Sequence, residues 1–231
     1  MPITRRALFT TAVAITSLAL AACGTTEDPA DSAAPAASAP SGPVEVTDER
    51  GTVRLEQPAT KVVSLEWGPT ENLVALGVKP VGQADTKGYN AWDTVAPIDP
   101  ATPDVGTRGE PSLDAIIALD PDLVVTTTDL PEKVIAEIAK QVPVIAVLGS
   151  NAPDPVGYMR KTVTLLAQAT GKQAEAAKLL ADFDAHVASA KKQLAAAGKA
   201  GAPYTMSDGW LDSGTVSVRM FTPQSFLGAI G

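Results

Sequence analysis

Short runs of aliphatic residues alternate with helix-forming segments between residues 61 and 148, and this alternation constrains the fold more than any other feature of the sequence. Runs of this length, bounded by Gly and Pro, are typical of strands buried on both faces of a parallel sheet. The expected strands are 61–65, 80–84, 122–127 and 142–148, and the expected helices are 72–76, 112–119 and 131–140. Their order predicts β-α-β units with right-handed crossovers, and therefore an α/β fold.

The segments before and after this region predict further elements. Residues 44–55 alternate around the turn residues Asp48 to Gly51, which is typical of a hairpin. From residue 154 the pattern becomes helical. The expected elements there are helices 156–170 and 172–197 and strands 204–206 and 215–220. They indicate the start of a second α/β unit.

The connection 85–109 shows no periodicity and is predicted to be functional. A structureless loop of that length is uncommon inside a compact domain unless it binds something. This one carries Tyr89, Trp92 and Arg108, and Trp67 lies on an earlier loop. Because the carboxyl ends of parallel strands meet at one edge of a sheet, the loops with Trp67, Trp92 and Arg108 are expected to converge where open α/β sheets bind ligands.

Arg108 is the charged residue of that loop that most suggests a ligand. It stands between glycines, just before Pro111, which fits the first turn of the helix that follows. A loop arginine is most often a solvated surface charge. Among aromatic rings, however, a guanidinium fork suits a planar or oxygen-rich ligand with delocalised negative charge.

The composition excludes several kinds of site. The 231 residues have a formal net charge of −8, which argues against a nucleic-acid partner because phosphate neutralisation needs a basic face. The length allows one large domain or two small lobes. One Cys excludes an intrachain disulfide, and one His excludes a metal site built from several histidines. That residue, His186, falls in a helical stretch and is expected on its surface.

Residues 1–23 are predicted to be an export signal that ends in a lipobox. Arg5 and Arg6 precede an apolar run, and Leu20-Ala21-Ala22-Cys23 is typical of bacterial lipoproteins, in which the Cys is diacylated. The paired arginines fit a twin-arginine signal as well as a Sec signal. Residues 24–43 are rich in Ala, Ser and Pro and are expected to form a flexible tether. The sequence thus predicts a domain anchored to the outer face of the cell membrane through Cys23.

Five blocks of the sequence, in their order and spacing, carry a resemblance to a known family. The blocks are 62–73 (VVSLEWGPTENL), 75–82 (ALGVKPVG), 85–92 (DTKGYNAW), 105–113 (VGTRGEPSL) and 119–124 (LDPDLV). Together they resemble the substrate-binding proteins of iron-siderophore ABC importers, and they are most similar to the ferric hydroxamate-binding branch.

The resemblance implies two Rossmann-like α/β lobes bridged by one long helix, with the ligand in the groove between them. The implied divisions are a signal peptide 1–23, a tether 24–43, an N-terminal lobe 44–152, a bridging helix 153–171 and the start of a C-terminal lobe 172–231. The second lobe is expected to be incomplete at Gly231, with its pocket aromatics and second docking carboxylate beyond it. A helical bridge implies little domain motion on binding.

The resemblance also assigns roles to residues. Arg108 matches the arginine that contacts hydroxamate oxygens around the iron, and Trp92 matches a pocket tryptophan that packs on the siderophore. Glu66, Trp67 and Tyr89 are the further ligand-binding candidates.

Two positions depart from the family pattern. Asp114 stands where the family has a Glu that pairs with an arginine of the permease, and a role at the helix dipole is the alternative. Asp129-Leu130 stand where a pocket tyrosine is expected. Trp210 and Arg219 are candidate substitutes for the pocket residues of the second lobe, and packed or solvated roles are equally open for both.

The resulting hypothesis is a monomeric binding protein, not an enzyme, that captures a ferric siderophore and delivers it to an ABC permease. Iron enters only as the siderophore complex, so no cofactor and no protein metal ligand are expected. Ferric citrate, haem or a corrinoid are alternative ligands, although haem normally needs an axial His, Tyr or Met. An envelope α/β hydrolase lacks support because there is no G-x-S-x-G motif. A purely structural lipoprotein would make the clustering of aromatics and Arg108 accidental.

Overall fold

A computed structural model describes residues 42–230, so the predicted signal peptide, Cys23 and nearly all of the predicted tether lie outside the described residues. The strands are β1 Val44–Thr47, β2 Thr52–Leu55, β3 Val62–Ser64, β4 Gly82–Gln83, β5 Leu123–Thr127, β6 Val144–Val147, β7 Ser207–Asp212 and β8 Thr215–Met220. The helices are α1 Trp67–Ala75, α2 Thr86–Trp92, α3 Leu113–Ala118, α4 Glu132–Ala139, α5 Pro155–Thr170, α6 Gln173–Ala196 and α7 Phe226–Ile230. None of these helices is both long enough and apolar enough to cross a bilayer.

The centre of the molecule is a four-stranded parallel sheet in the order β4-β3-β5-β6. β3, β5 and β6 are buried along their whole length, as expected for strands covered on both faces. The predicted α/β class is confirmed. The chain leaves β3 toward β4 on one side and β5 toward β6 on the other, so the connections diverge between β3 and β5. Open α/β sheets bind ligands outside the carboxyl ends of the strands at such a point.

Two apolar clusters cover the sheet. One contains Leu73 of α1, Leu76 just after α1 and Leu166 of α5, packed with residues of β1, β2, β5 and β6. The other contains Ile116 of α3 and Ile135 and Ile138 of α4. Each of these four helices therefore packs apolar residues against one face of the sheet.

The β1–β2 hairpin is fixed to the sheet by a buried carboxylate. Asp48 accepts hydrogen bonds from the backbone N–H of Arg50 at 2.8 Å and of Gly51 at 2.9 Å, which closes the turn. Its other oxygen accepts from the N–H of Ala146 in β6 at 2.7 Å. One side chain therefore closes the predicted hairpin and joins it to the edge strand.

The connection 85–109 is not structureless, which corrects the prediction made from its lack of periodicity. Thr86–Trp92 form α2, and Asp85, at φ 57°, caps it by accepting from the N–H of Gly88 at 3.0 Å. The helix has Gly88 and Asn90 in its interior and no apolar stripe, so its sequence gives no helical signal. Its stability comes from the cap and from the burial of Tyr89.

Two further element boundaries differ from the sequence-based ones. α1 begins at Trp67 and not at residue 72, because Glu66 caps it and Pro69 is tolerated in a first turn. β7 begins at Ser207 and not at residue 204, because the two-residue turn Ser213-Gly214 sets the pairing. Both turn residues have positive φ, 48° and 84°, which is the geometry of a tight hairpin turn.

α5 and α6 play different parts in the structure. α5 is capped by Asp154 and buries one face in the core beside β1 and α1. α6 contacts that core near its start, where Ala176 is buried, but residues 188–200 are exposed throughout. His186 lies exposed on α6, as predicted. Within residues 42–230, α6 is thus the element that stands between α5 and the β7–β8 hairpin. The predicted domain boundaries stay predictions.

Candidate functional site

A cavity of about 680 Å³ lies at the carboxyl ends of the parallel strands. It is lined after β3 by Glu66, after β5 by Asp129 and after β6 by residues 148–151. The first turns of α1 and of α5 form two further walls, and residues 224–226 close the outer side. The cavity therefore occupies the position predicted from the strand order.

Arg108 lines this cavity and is held by two neighbours. Its Nη1 donates to Glu66 Oε1 at 2.8 Å, and its guanidinium carbon lies 4.2 Å from the centroid of the Trp67 ring. The same Glu66 oxygen accepts from the backbone N–H of Trp67 at 2.8 Å. The carboxylate thus orients the guanidinium while it caps α1, and stacking on the indole restricts the guanidinium plane.

A buried hydrogen-bond network anchors the first turn of α1, which Glu66 caps. Thr70 Oγ1 lies 2.8 Å from Ser64 Oγ and 2.5 Å from Gln83 Oε1. Gln83 in turn donates from Nε2 to the Ala84 carbonyl at 2.8 Å. All three side chains are buried, so this network ties the first turn of α1 to β3 and β4. The position of Glu66 is therefore set by the sheet.

The loop that presents Arg108 is also rigid. Gly106 has φ 107°, and a Cβ there would lie 2.8 Å from the Glu110 carbonyl oxygen, so only glycine fits without strain. Asp104 accepts from the N–H of Gly106 at 2.9 Å, and Thr107 Oγ1 accepts from the N–H of Glu110 at 3.1 Å. The Arg108 side chain remains 45% exposed, so it is available to a ligand.

Trp67 and Tyr89 lie behind the guanidinium and do not line the cavity. Tyr89 is fully buried, its hydroxyl donates to the Ala96 carbonyl at 2.6 Å, and burial raises its pKa. Its ring meets the Trp67 ring edge to face at 6.4 Å. The aromatic cluster predicted around Arg108 is therefore present in part, with Trp67 as the contact and Tyr89 as its support.

Trp92 and Asp114 do not join this cluster. Trp92 ends α2 with 80% of its surface exposed and does not line the cavity. Asp114 is exposed in the first turn of α3, where its charge complements the helix dipole. Trp210 and Arg219 stack on each other at 5.4 Å on the β7–β8 hairpin, and neither lines the cavity. The binding and docking roles predicted for these residues stay predictions.

Sequence reasoning missed two carboxylates of the cavity, Glu71 and Asp129. Burial, and then the nearby Asp93 carboxylate, raise the pKa of Glu71 to about 7. Asp129 accepts a hydrogen bond from Thr127 Oγ1 at 3.1 Å. An isolated acidic residue gives no pattern in a sequence, and only the departure of Asp129 from the family pattern pointed to its position.

Tyr158 fixes α5 at the rim of the cavity. Its hydroxyl donates to Glu49 Oε1 at 2.9 Å and accepts from the N–H of Leu148 at 2.6 Å, and burial raises its pKa to about 12. Lys161 donates to the same Glu49 oxygen at 2.7 Å. The start of α5, the hairpin turn and the end of β6 are thereby joined at one point. Among residues 42–230, no three His, Cys, Asp or Glu side chains are grouped so as to hold a metal ion.

Comparison with known proteins gives a consistent set of matches. The family model described as "Periplasmic binding protein" matches residues 62–227. The putative ABC transporter substrate-binding lipoprotein YhfQ of Bacillus subtilis is 34% identical over 156 residues, which is 66% of this chain and 47% of that protein. The iron(3+)-hydroxamate-binding protein FhuD of Escherichia coli is 33% identical over 134 residues, 57% of this chain and 44% of that protein.

A solved structure shows the same similarity in three dimensions. SirA of Staphylococcus aureus, complexed with staphyloferrin B, matches with a TM-score of 0.58 and 30% identity, over 71% of this chain and 55% of that one. The chain thus spans about half the length of the relatives that it matches.

Proposed function

The chain belongs to the periplasmic binding protein family, and from that membership we propose that it is the extracytoplasmic receptor of an ABC importer and captures a ferric siderophore of the hydroxamate type. The observation that carries this proposal is the Arg108 guanidinium, stacked on Trp67, oriented by Glu66 and half exposed in the cavity at the strand ends.

The chemistry of this guanidinium suits an iron(III) hydroxamate complex. Oxygens bound to iron keep partial negative charge and accept charge-assisted hydrogen bonds. A guanidinium has five N–H donors, and among residues 42–230 the Glu66 carboxylate is its hydrogen-bond partner through Nη1 alone. The remaining donors of Arg108 can therefore bind the ligand without any loss of the ion pair that orients them.

The proposal has further parts that concern the iron, the membrane anchor and the permease. Iron arrives already coordinated, so the chain supplies neither a cofactor nor a metal ligand, and it performs no chemistry on the ligand. Cys23 anchors the protein by its diacyl group to the outer face of the cell membrane, and the protein acts as a monomer. Asp114, exposed at the start of α3, is the proposed contact with an arginine of the permease.

Titration of the purified protein with ferric chelates, followed by tryptophan fluorescence, tests the proposal. Ferrioxamine-type or ferrichrome-type complexes should quench the emission, because the Trp67 ring lies against Arg108. Arg108→Ala should weaken binding at least about tenfold, or about 1.4 kcal/mol.

Arg54→Ala is the matched control, because Arg54 is also an exposed arginine in an ion pair, with Glu45 at 3.0 Å on the hairpin outside the cavity. It should bind like the unaltered protein. The same titration with ferric citrate, haem and a corrinoid compares the alternative ligands. A protein that binds one of these and no hydroxamate complex would contradict the proposed ligand class, and one that binds no ferric chelate would contradict the proposed function.

A further inference from the structure

We propose that the cavity selects its ligand by charge: it takes an iron(III) hydroxamate complex that carries a free ammonium group, it rejects anionic iron(III) complexes, and Asp129 is the residue that accepts the ammonium. This inference rests on the proposed function and adds the ligand's charge and the residue that recognises it.

The balance of charge in the cavity is the first argument. The charged side chains that line it are Glu66, Glu71, Asp129 and Arg108, three carboxylates and one guanidinium. Glu66 and Arg108 form an ion pair at 2.8 Å and largely cancel each other at longer range. Glu71 lies beside Asp93, and its raised pKa of about 7 leaves it partly neutral near neutral pH. Asp129 is then the carboxylate whose charge faces the ligand without compensation.

The second argument is that Asp129 is positioned by one hydrogen bond and has no cationic partner among the described residues. Thr127 Oγ1 donates to its Oδ2 at 3.1 Å. The residue is exposed, so water solvates the rest of the carboxylate and its charge is accessible from the cavity. No lysine or arginine of the described residues forms an ion pair with it within 4.0 Å. An ammonium group, with three donors and a positive charge, can replace this water and pair with the carboxylate.

The third argument is the contact between Asp129 and Gly149, which follows β6. A Cβ built on Gly149 would overlap Asp129 Oδ2. The carboxylate can therefore adopt this rotamer because residue 149 carries no side chain. The two strand ends, β5 and β6, thus shape a recess that presents the Asp129 oxygens at the cavity wall, where Arg108 also stands.

An anionic complex would be repelled by the carboxylates of this cavity. It would gain the donors of Arg108 but would approach Asp129 and the ionised fraction of Glu71, and like charges a few ångströms apart in a partly dry cleft repel each other more strongly than they do in water. A neutral hydroxamate complex avoids that repulsion, and an ammonium-bearing complex converts it into attraction. Affinity should therefore rise in the order anionic, neutral, cationic.

The test uses two probes that differ at one end of the ligand: ferrioxamine B, which has a free primary ammonium, and its N-acetyl derivative, in which that group is a neutral amide. The unaltered protein should bind the cationic probe at least about tenfold more tightly than the acetylated probe. The ratio should shrink as salt is raised from 0.01 to 1 M, because exposed charges are screened. Asp129→Asn should bring the ratio close to one while it leaves the affinity for the neutral probe unchanged.

Glu137→Gln is the matched control, because it removes the same charge from the exposed face of α4, outside the cavity. It should preserve the preference, and so should Asp129→Glu in part. Equal binding of both probes by the unaltered protein would overturn this inference and leave the proposed function standing, since a hydroxamate complex would still bind. Binding of neither probe would instead count against the proposed function. A preference that survives Asp129→Asn would overturn the assignment to Asp129.

Discussion

The Glu66–Arg108 pair is a carboxylate and a guanidinium that restrain each other beside an open cavity. Glu66 is 21% exposed and accepts from both the α1 backbone and Arg108, so the pair is fixed at one end by the helix cap. Trp67 adds a flat surface at 4.2 Å that limits rotation of the guanidinium. A guanidinium restrained in this way loses little conformational freedom on binding, which favours affinity.

Glu71 should make the stability of the protein depend on pH. Its folded-state pKa of about 7 lies above the ordinary value of 4.5, so its contribution is fully present below pH 4.5 and is lost as the pH rises through 7. Glu71→Gln removes this loss and keeps a donor for Asp93. The variant should be more stable than the unaltered protein at pH 8 by about 1 kcal/mol, a figure reduced for solvent screening of a partly exposed group.

Urea unfolding at pH 5 and pH 8 measures this effect. The difference between the two pH values should be smaller in Glu71→Gln than in the unaltered protein, whereas Glu137→Gln, on an exposed face of α4, should leave the difference unchanged. An equal pH dependence in all three proteins would show that Glu71 ionises as freely in the folded chain as in the unfolded one.

The position of the site was predictable from the sequence because the loops that follow parallel strands lie at one edge of the sheet. The expected convergence of loops at the strand ends holds for Trp67 and Arg108 but not for Trp92, which does not line the cavity. Tyr89 was grouped correctly with Trp67, but its burial under the ring could not be read from a loop of unknown course. Glu71 and Asp129 were missed because their effect on the charge of the cavity depends on which neighbouring side chains form ion pairs. A sequence does not show those pairs.

At the scale of elements, the β1–β2 hairpin depends on the single buried side chain of Asp48. Asp48→Ala removes the acceptor for three backbone N–H groups, and the Ala146 N–H is buried and cannot turn to water. The free energy of unfolding should fall by about 2 to 3 kcal/mol, the cost of leaving a buried donor unpaired together with two weakened turn bonds.

Urea unfolding also tests this prediction, with Asp120→Asn as the control. Asp120 forms an ion pair with Lys61 at 2.7 Å, but its side chain is 96% exposed, so the loss of its charge should not change the unfolding midpoint measurably. Asparagine is the suitable replacement because residue 120 has a φ of 48°, which Asn tolerates. A loss in Asp48→Ala no larger than in the control would mean that the hairpin closes without its carboxylate.

The elements that the sequence predicted well are those with a strong hydrophobic pattern. The strands β3, β5 and β6 and helices α4 and α5 lie within a few residues of their predicted ends. Strands buried on both faces give short runs of aliphatic residues, and helices packed on a sheet give apolar residues at helical spacing, so both can be recognised in a sequence. α2 was missed because an aspartate cap and one buried tyrosine, not a stripe, hold it. The start of β7 was misplaced because the Ser213-Gly214 turn overrides the local pattern.

At the scale of the whole molecule, attachment to the membrane should depend on Cys23. In the cell, Cys23→Ser should abolish labelling of the protein with radioactive palmitate and move it from the membrane fraction to the soluble fraction, since the thiol carries the diacyl group. Arg5→Lys with Arg6→Lys serves as the companion variant: blocked export would indicate the twin-arginine route, and normal export the Sec route. Membrane attachment that persists in Cys23→Ser would contradict the lipoprotein hypothesis.

The overall class was predictable because the alternation of strands and helices admits few topologies, and the family predicted from the five blocks is confirmed by the match over residues 62–227. The division into lobes stays a prediction. Within residues 42–230, the elements after α6 are the β7–β8 hairpin and α7. The bridging helix at 153–171 was implied by the resemblance and not by the hydrophobic pattern, and it too stays a prediction.

The outer wall of the cavity is fastened to the middle of α6. Phe226 of α7 packs on Phe183 at 6.3 Å, and Arg160 of α5 holds the same part of α6 through its pair with Asp184. A helix of 24 residues is about 36 Å long, and both contacts lie close to its midpoint. When a rod tilts about its midpoint, its ends travel and its centre stays in place. The wall is therefore attached where bending or tilting of α6 would disturb the cavity least.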